Sequence, residues 1–275
     1  MKNKFDLLVS EKEPFIFIEY GSLVMKDGQL ISLSEQGLRV IPVNSIQLLY
    51  LGAGTSITQP AMIYCAKHQL NVCFNKGEFN SYTMFFSGKY QCPISLNEQM
   101  RKHNEDKLEI AKVLMKKRME REGVDREYLN KTLESKNHES LLGHEGAWAK
   151  KVYRSYFEDF RRKYEKGDEI NKRLSILNNL LYNYISTLII NCNLSPSIGF
   201  IHGRTRRGGL TFDIADLYKK ELTIDLAFNH LDLSFKEILI EFGKRLRKDN
   251  KKKVKEMVNV CKYISGKESE IKWLY

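Results

Sequence analysis

Glu145 stands where a carboxylate costs free energy. In the segment ESLLGHEGAWAKKVYRSYF, residues 139–157, Ala149, Val152 and Tyr156 follow Leu142 at offsets of 7, 10 and 14. That spacing predicts an amphipathic helix with Glu145, at offset 3, inside its apolar stripe. An unpaired carboxylate on such a face is strongly unfavourable. Glu145 is therefore either half of a buried ion pair with a Lys or Arg, or a metal ligand or acid–base group.

A second segment, GFIHGRTRRGGLTFDIADLYKK at 199–220, gathers the complementary groups. The apolar run Ile198-Gly199-Phe200-Ile201 ends at His202. Arg204, Arg206 and Arg207 follow among glycines, and then Asp213 and Asp216. If DIADLYKK is helical, the two aspartates share one face near the helix N-terminus, where the helix dipole favours them. Taken singly, His202 reads as a satisfied core histidine and the aspartates as helix caps. Taken together, one His, two Asp and a misplaced Glu supply nitrogen and oxygen ligands without a thiolate. That set suits Mg2+ or Mn2+ better than structural zinc. Arginine meets phosphate bidentately, so the three arginines suit a phosphate clamp. These residues alone predict a metal-dependent enzyme acting on the phosphodiester backbone of nucleic acid, the metal activating a water or hydroxyl and neutralising the scissile phosphate.

The elements that must position these residues divide the chain in two. Residues 1–85 hold seven basic and seven acidic residues, so the whole net charge of +11 lies beyond them. Within 15–51, FIFIEY, SLVMK, QLISL, LRVIP and SIQLLYL read as short strands, with Gly21, Lys26-Asp27-Gly28, Gly37 and Asn44 between them. Lys-Asp-Gly is a hairpin signal. Thr58 and Pro60 open a short helix in PAMIYCAKHQ, and NVCFN and TMFF read as further strands. Helical spacing takes over at 97–121, 138–165, 170–191, 213–220 and 234–264. The expected fold class is α+β. A β-rich domain covers 1–85, a connector 86–96, and an all-α catalytic domain 97–275. The run KRLRKDNKKKVK at 244–255 carries eight basic residues and one acid, and is read as a phosphate-binding face containing Lys244, Arg245, Arg247 and Lys248. The alternative is a solvated helix end.

Composition excludes several classes. A hydrophobic share of 42% with 11% aromatics excludes disorder. Cys65, Cys73, Cys92, Cys192 and Cys261 form no C-x-x-C pair, so buried reduced thiols are expected rather than disulfides or a thiolate zinc site. The charge-free stretch Leu174 to Gly203 holds too many Asn and Ser residues for a lipid span. A soluble, cytoplasmic protein is expected.

The segments LLGHEGAW and IHGRTRRGGLTFDIADLYK strongly resemble the integrase of CRISPR–Cas adaptation, the CRISPR-associated protein that inserts new spacers. The strands FIFIEYGSLVMKDGQLISL and IPVNSIQLLYLGAGTSIT resemble that family's β-domain. The form H-G-x-T-R-R-G-G-L-x-F-D-x-A-D is similar to the subtype I-F branch. The resemblance implies an N-terminal β-rich domain and a C-terminal helical domain, assembled as a homodimer. It implies a divalent metal, Mg2+ or Mn2+, on Glu145, His202 and Asp216, with Asp213 an acidic neighbour needed for activity. Lys219 would contact DNA. Tyr20 would cap the end of the incoming duplex, although a core aromatic is an equal reading. The implied partners are double-stranded DNA, both the incoming fragment and the CRISPR repeat, and a small ferredoxin-like protein bridging two dimers. The implied chemistry is attack of a 3′-hydroxyl on a phosphodiester, in a prokaryotic cytoplasm. Two alternatives stand beside it: a stand-alone nuclease or transposon-type recombinase, and a non-catalytic nucleic-acid-binding protein.

Overall fold

A computed structural model describes residues 12–75, 82–85, 93–124, 126–163, 167–202 and 208–274. The α+β expectation holds. The N-terminal part is one sheet of six strands: β1 (Glu13–Lys26), β2 (Gln29–Ser34), β3 (Gly37–Val40), β4 (Ile46–Ile57), β5 (Asn71–Asn75) and β6 (Tyr82–Phe85), in the order β3-β2-β1-β4-β5-β6. The β1–β4 and β4–β5 pairs are parallel and the others antiparallel. The Lys-Asp-Gly hairpin is present. Asp27 and Gly28 take φ of 51° and 73°, the left-handed backbone of a tight two-residue turn. FIFIEY and SLVMK, however, form one strand rather than two. Gly21 (φ +122°) lets β1 bend instead of ending, and a Cβ there would lie 2.2 Å from the Leu33 carbonyl oxygen.

Strand alternation divides the sheet's apolar residues between two cores. Ile18, Leu49, Leu51 and Val72 pack with Ala61 and Cys65 of α1 (Gln59–Lys67). On the opposite face, Leu48, Tyr50 and Cys73, with Phe15 and Phe17 against them, belong to the larger core that the helices fill.

Those helices are α2 (Pro93–Glu105), α3 (Lys107–Glu122), α4 (Arg126–Leu133), α5 (His138–Arg154), α6 (Glu169–Asn191), α7 (Gly209–Ala215), α8 (Asp225–Asn229), α9 (Phe235–Arg247) and α10 (Asn250–Ile264). A π-helical turn, Lys220–Ile224, joins α7 to α8. Several expected spans break. The 97–121 span is two helices parted at Asp106, 138–165 ends at Arg154, and 234–264 breaks at Asp249, whose φ is 55°. Helix α4 was not expected. The central α6 starts at Asp168, whose side chain accepts the Asn171 N–H at 2.8 Å. It is buried along most of its length, which explains why it carries no charged residue after Arg173. Among the described residues no helix is long and apolar enough to cross a membrane. Cys65, Cys73, Cys192 and Cys261 are buried free thiols, while Cys92 lies outside the described residues.

Candidate metal centre

Three elements converge on Glu145. Helix α5 starts at Asn137, which accepts the Ser140 N–H at 2.9 Å. Its buried positions are Leu141, Trp148 and Val152. The stripe therefore begins at Leu141, not at Leu142, which is exposed. Tyr156 lies past the helix end. The shift of one residue leaves Glu145 four positions after Leu141, still on the inward face.

His202 lies in the segment that runs from α6 towards α7. This segment passes α7 so closely that both sides must be glycine. A Cβ on Gly199 would lie 2.3 Å from the Gly209 carbonyl carbon, and one on Gly209 would lie 2.7 Å from the Gly199 nitrogen. The helix begins at Gly209 rather than at Asp213, which corrects the expected cap geometry. Asp213 and Asp216 stand at its C-terminal end, where the dipole disfavours anions. Other groups hold them. The buried Asp213 carboxylate accepts the backbone N–H groups of Phe200 (2.5 Å), Ile201 (3.1 Å) and His202 (3.0 Å). It lies 2.9 Å from His202 Nδ1 as well. A carboxylate partner assigns the proton to Nδ1 and leaves Nε2 as the ligand atom. Burial alone would lower the His202 pKa, but the Asp213 hydrogen bond and the charges of Asp216, Asp213 and Glu145 outweigh it and raise it.

Asp216 is buried completely, which by itself would raise its pKa. Lys219, Arg118 and His202 overcome that and hold the carboxyl far below the usual range. Arg118 on α3 donates from one Nη1 to Glu145 Oε1 at 2.8 Å and to Asp216 Oδ2 at 2.9 Å. Its Nε lies 3.4 Å from Glu122 Oε1, one turn along α3. Trp148 Nε1 donates to the other Glu122 oxygen at 2.5 Å. The Glu122 pKa is raised, chiefly by burial.

Glu145, His202 and Asp216 each offer one ligand atom, and these atoms lie within 4.8 Å of one another. Two features make the set fit a hard divalent cation. Asp216 is kept ionised, its Oδ1 held by the Lys219 ammonium and its Oδ2 by Arg118, so the carboxylate offers a full negative charge. Moreover, the donor set is two carboxylates and one imidazole, oxygen and nitrogen groups without a thiolate, which is the chemistry a hard dication takes.

The other expected residues are placed as follows. Arg204, Arg206 and Arg207 lie outside the described residues. Lys219 turns inward onto Asp216, its side chain 14% exposed. Lys244 and Lys248 are exposed at the end of α9, Arg245 donates to the Glu221 carbonyl, and Arg247 pairs with Glu13 of β1 at 2.5 Å. Tyr20 is 67% exposed and lies over Gly54, so it is not a core aromatic. Arg118, Glu122 and Trp148 were missed. The signal was available: Arg118 and Glu122 continue the stripe of Ala111, Leu114 and Met115, the same polar misplacement that marked Glu145.

The family model described as "CRISPR associated protein Cas1" matches residues 15–259. The chain belongs to the Cas1 family. A relative named CRISPR-associated endonuclease Cas1 2, from Chlorobaculum tepidum, is 27% identical over 232 residues, 80% of this chain and 76% of its own. Among solved structures, the Cas1 protein TM1797 from Thermotoga maritima superposes with a TM-score of 0.79 at 20% identity, covering 92% of this chain and 98% of that one. A casposase bound to integration product gives the same TM-score at 16% identity, over 94% and 92%. The Cas1 fold therefore extends across both the sheet and the helices.

Proposed function

We propose that this Cas1-family chain is a divalent-metal-dependent DNA endonuclease and integrase that inserts short DNA fragments, new spacers, into a CRISPR array. The observation that carries the reading is the convergence of Glu145, His202 and Asp216 from a helix, a loop and a helix end onto one point. Family membership and the endonuclease name of its relatives support the same reading. A bound Mg2+ or Mn2+ supplies charge neutralisation at the scissile phosphate and a lowered pKa for the attacking hydroxyl. Glu145, His202 and Asp216 hold it. Asp213 fixes the His202 ring with Nδ1 protonated, and Lys219 keeps Asp216 ionised. The reaction exchanges one phosphodiester for another: the 3′-oxygen of the incoming strand bonds to phosphorus, and the 3′-oxygen of the cut target strand leaves with a proton. No ATP is consumed, so catalysis rests on in-line positioning and on stabilising charge.

The remaining assignments belong to the same proposal. The chain works as a homodimer in a prokaryotic cytoplasm, with a small ferredoxin-like partner bridging two dimers. The 1–85 part serves dimerisation and duplex-end contact through Tyr20, and the 97–275 part serves catalysis. Arg204, Arg206, Arg207, Lys244, Arg245, Arg247 and Lys248 bind the phosphate backbone. The arginine-loop motif supports a place near the subtype I-F branch.

A joining assay tests the proposal. Wild-type protein, with and without a candidate bridging partner, is mixed with a labelled duplex, supercoiled plasmid and Mn2+. Label should enter the plasmid with wild type and fail to enter with Glu145→Ala, His202→Ala or Asp216→Ala, all of which should keep DNA binding. Plasmid cutting without label transfer would make the chain a nuclease only, and wild-type joining by any variant would remove that residue from the ligand set.

A further inference from the structure

The Arg118 guanidinium is buried at the meeting point of three carboxylates from three elements: Glu122 of α3, Glu145 of α5 and Asp216 at the end of α7. Brought together empty, three buried carboxylates would repel one another and each would carry an uncompensated desolvation cost. One planar fork answers all three. A single Nη1 spans Glu145 and Asp216, and Nε faces Glu122. Glu122 is itself tied down by Trp148 Nε1 at 2.5 Å. A divalent ion taking Glu145 and Asp216 would need the same two carboxylates that Arg118 holds. Like charges at hydrogen-bond separations in a buried site repel strongly, so ion and guanidinium cannot share those groups on equal terms.

We propose that Arg118 is the built-in counter-cation of the metal centre: it holds Glu145 and Asp216 together in the empty site, competes with the divalent ion for them, and is left on Glu122 when the ion binds. Arg118 and Glu122 are thus positioning residues with opposite effects on metal affinity. This inference rests on the metal site of the proposed function.

Mn2+ titration of the full chain, by calorimetry and by the EPR signal of free Mn2+, separates the two claims. Wild type should bind Mn2+ at this site. Arg118→Met, which removes the competitor, should bind it at least about tenfold more tightly. Arg118→Lys, which keeps the charge, should stay within about threefold of wild type. Glu122→Gln, which keeps the size but removes the charge that receives the guanidinium, should bind several-fold more weakly. A purely structural role would weaken binding in Arg118→Met and Glu122→Gln alike, and that result overturns the inference. In wild type itself, Mg2+ titration should shift one arginine Nε–Hε NMR resonance that is missing in Arg118→Lys. This measurement decides the matter if Arg118→Met does not fold, and an unmoved resonance overturns the inference. Absence of Mn2+ binding by wild type would instead overturn the metal site itself.

Discussion

Asp213 touches no candidate ligand position except through His202, and its whole carboxylate is committed to the chain segment that carries that ring. Asp213→Asn keeps the shape but loses the charge that orients Nδ1–H. Removing such an outer partner costs roughly 10–100-fold in metal affinity or activity, so Mn2+ affinity should fall by about that factor in the same titration. The raised His202 pKa gives a pH signature in EDTA. A folded pKa above the unfolded value of 6.5 means that protonation favours the fold. The contribution is full below pH 6.5 and is lost as pH rises through the folded value. Denaturant unfolding in EDTA should therefore show stability falling across that window in wild type, and His202→Gln should lack that component. At this scale much was readable from sequence, because Glu145 and His202 are polar groups interrupting apolar runs. Arg118 was not read, because its stripe lies inside the lysine-rich run KKRMERE, where one more cation looks like a solvated face.

At the scale of elements, the Gly199–Gly209 approach sets where His202 enters the site. A methyl group cannot fit against backbone at such distances, so Gly199→Ala should destabilise the chain by about 1–3 kcal/mol and lower joining with it. Thermal melting and the joining assay together check this. A wild-type melting temperature would show that the segment can part from α7 without cost. This contact also explains where the sequence reading failed. Asp213 looked like a helix start because a carboxylate followed an apolar run. The helix instead begins four residues earlier, where tight packing against Gly199 places it. The strands were readable by alternation, but β1 was split at Gly21 because a glycine looks the same in sequence whether it ends a strand or bends one. The breaks at Asp106 and Asp249 left no glycine or proline to mark them.

For the whole molecule, the net charge of +11 beyond a neutral N-terminal part argues for contact with nucleic-acid backbone over a broad surface. Duplex affinity should fall linearly in log–log terms with salt, with a slope near −0.9 per phosphate neutralised, and with little dependence on sequence. A flat salt profile would place recognition in base contacts. Tyr20 belongs to this scale as well. An exposed side chain on the sheet contributes little to stability, so Tyr20→Ala should melt within about 0.5 kcal/mol of wild type. It should nevertheless lose affinity for duplex ends relative to closed circular DNA.

The central claim is that the centre built on Glu145, His202 and Asp216 directs a 3′-hydroxyl, rather than water, at a phosphodiester. Two labelled duplexes, one ending in a 3′-hydroxyl and one in a 3′-deoxy residue, would be incubated with supercoiled plasmid in Mn2+ or in EDTA. The account predicts label in the plasmid only from the 3′-hydroxyl duplex and only in Mn2+, with Glu145→Gln inactive. Equal plasmid cutting with either duplex and no label transfer would contradict it and leave a hydrolytic nuclease.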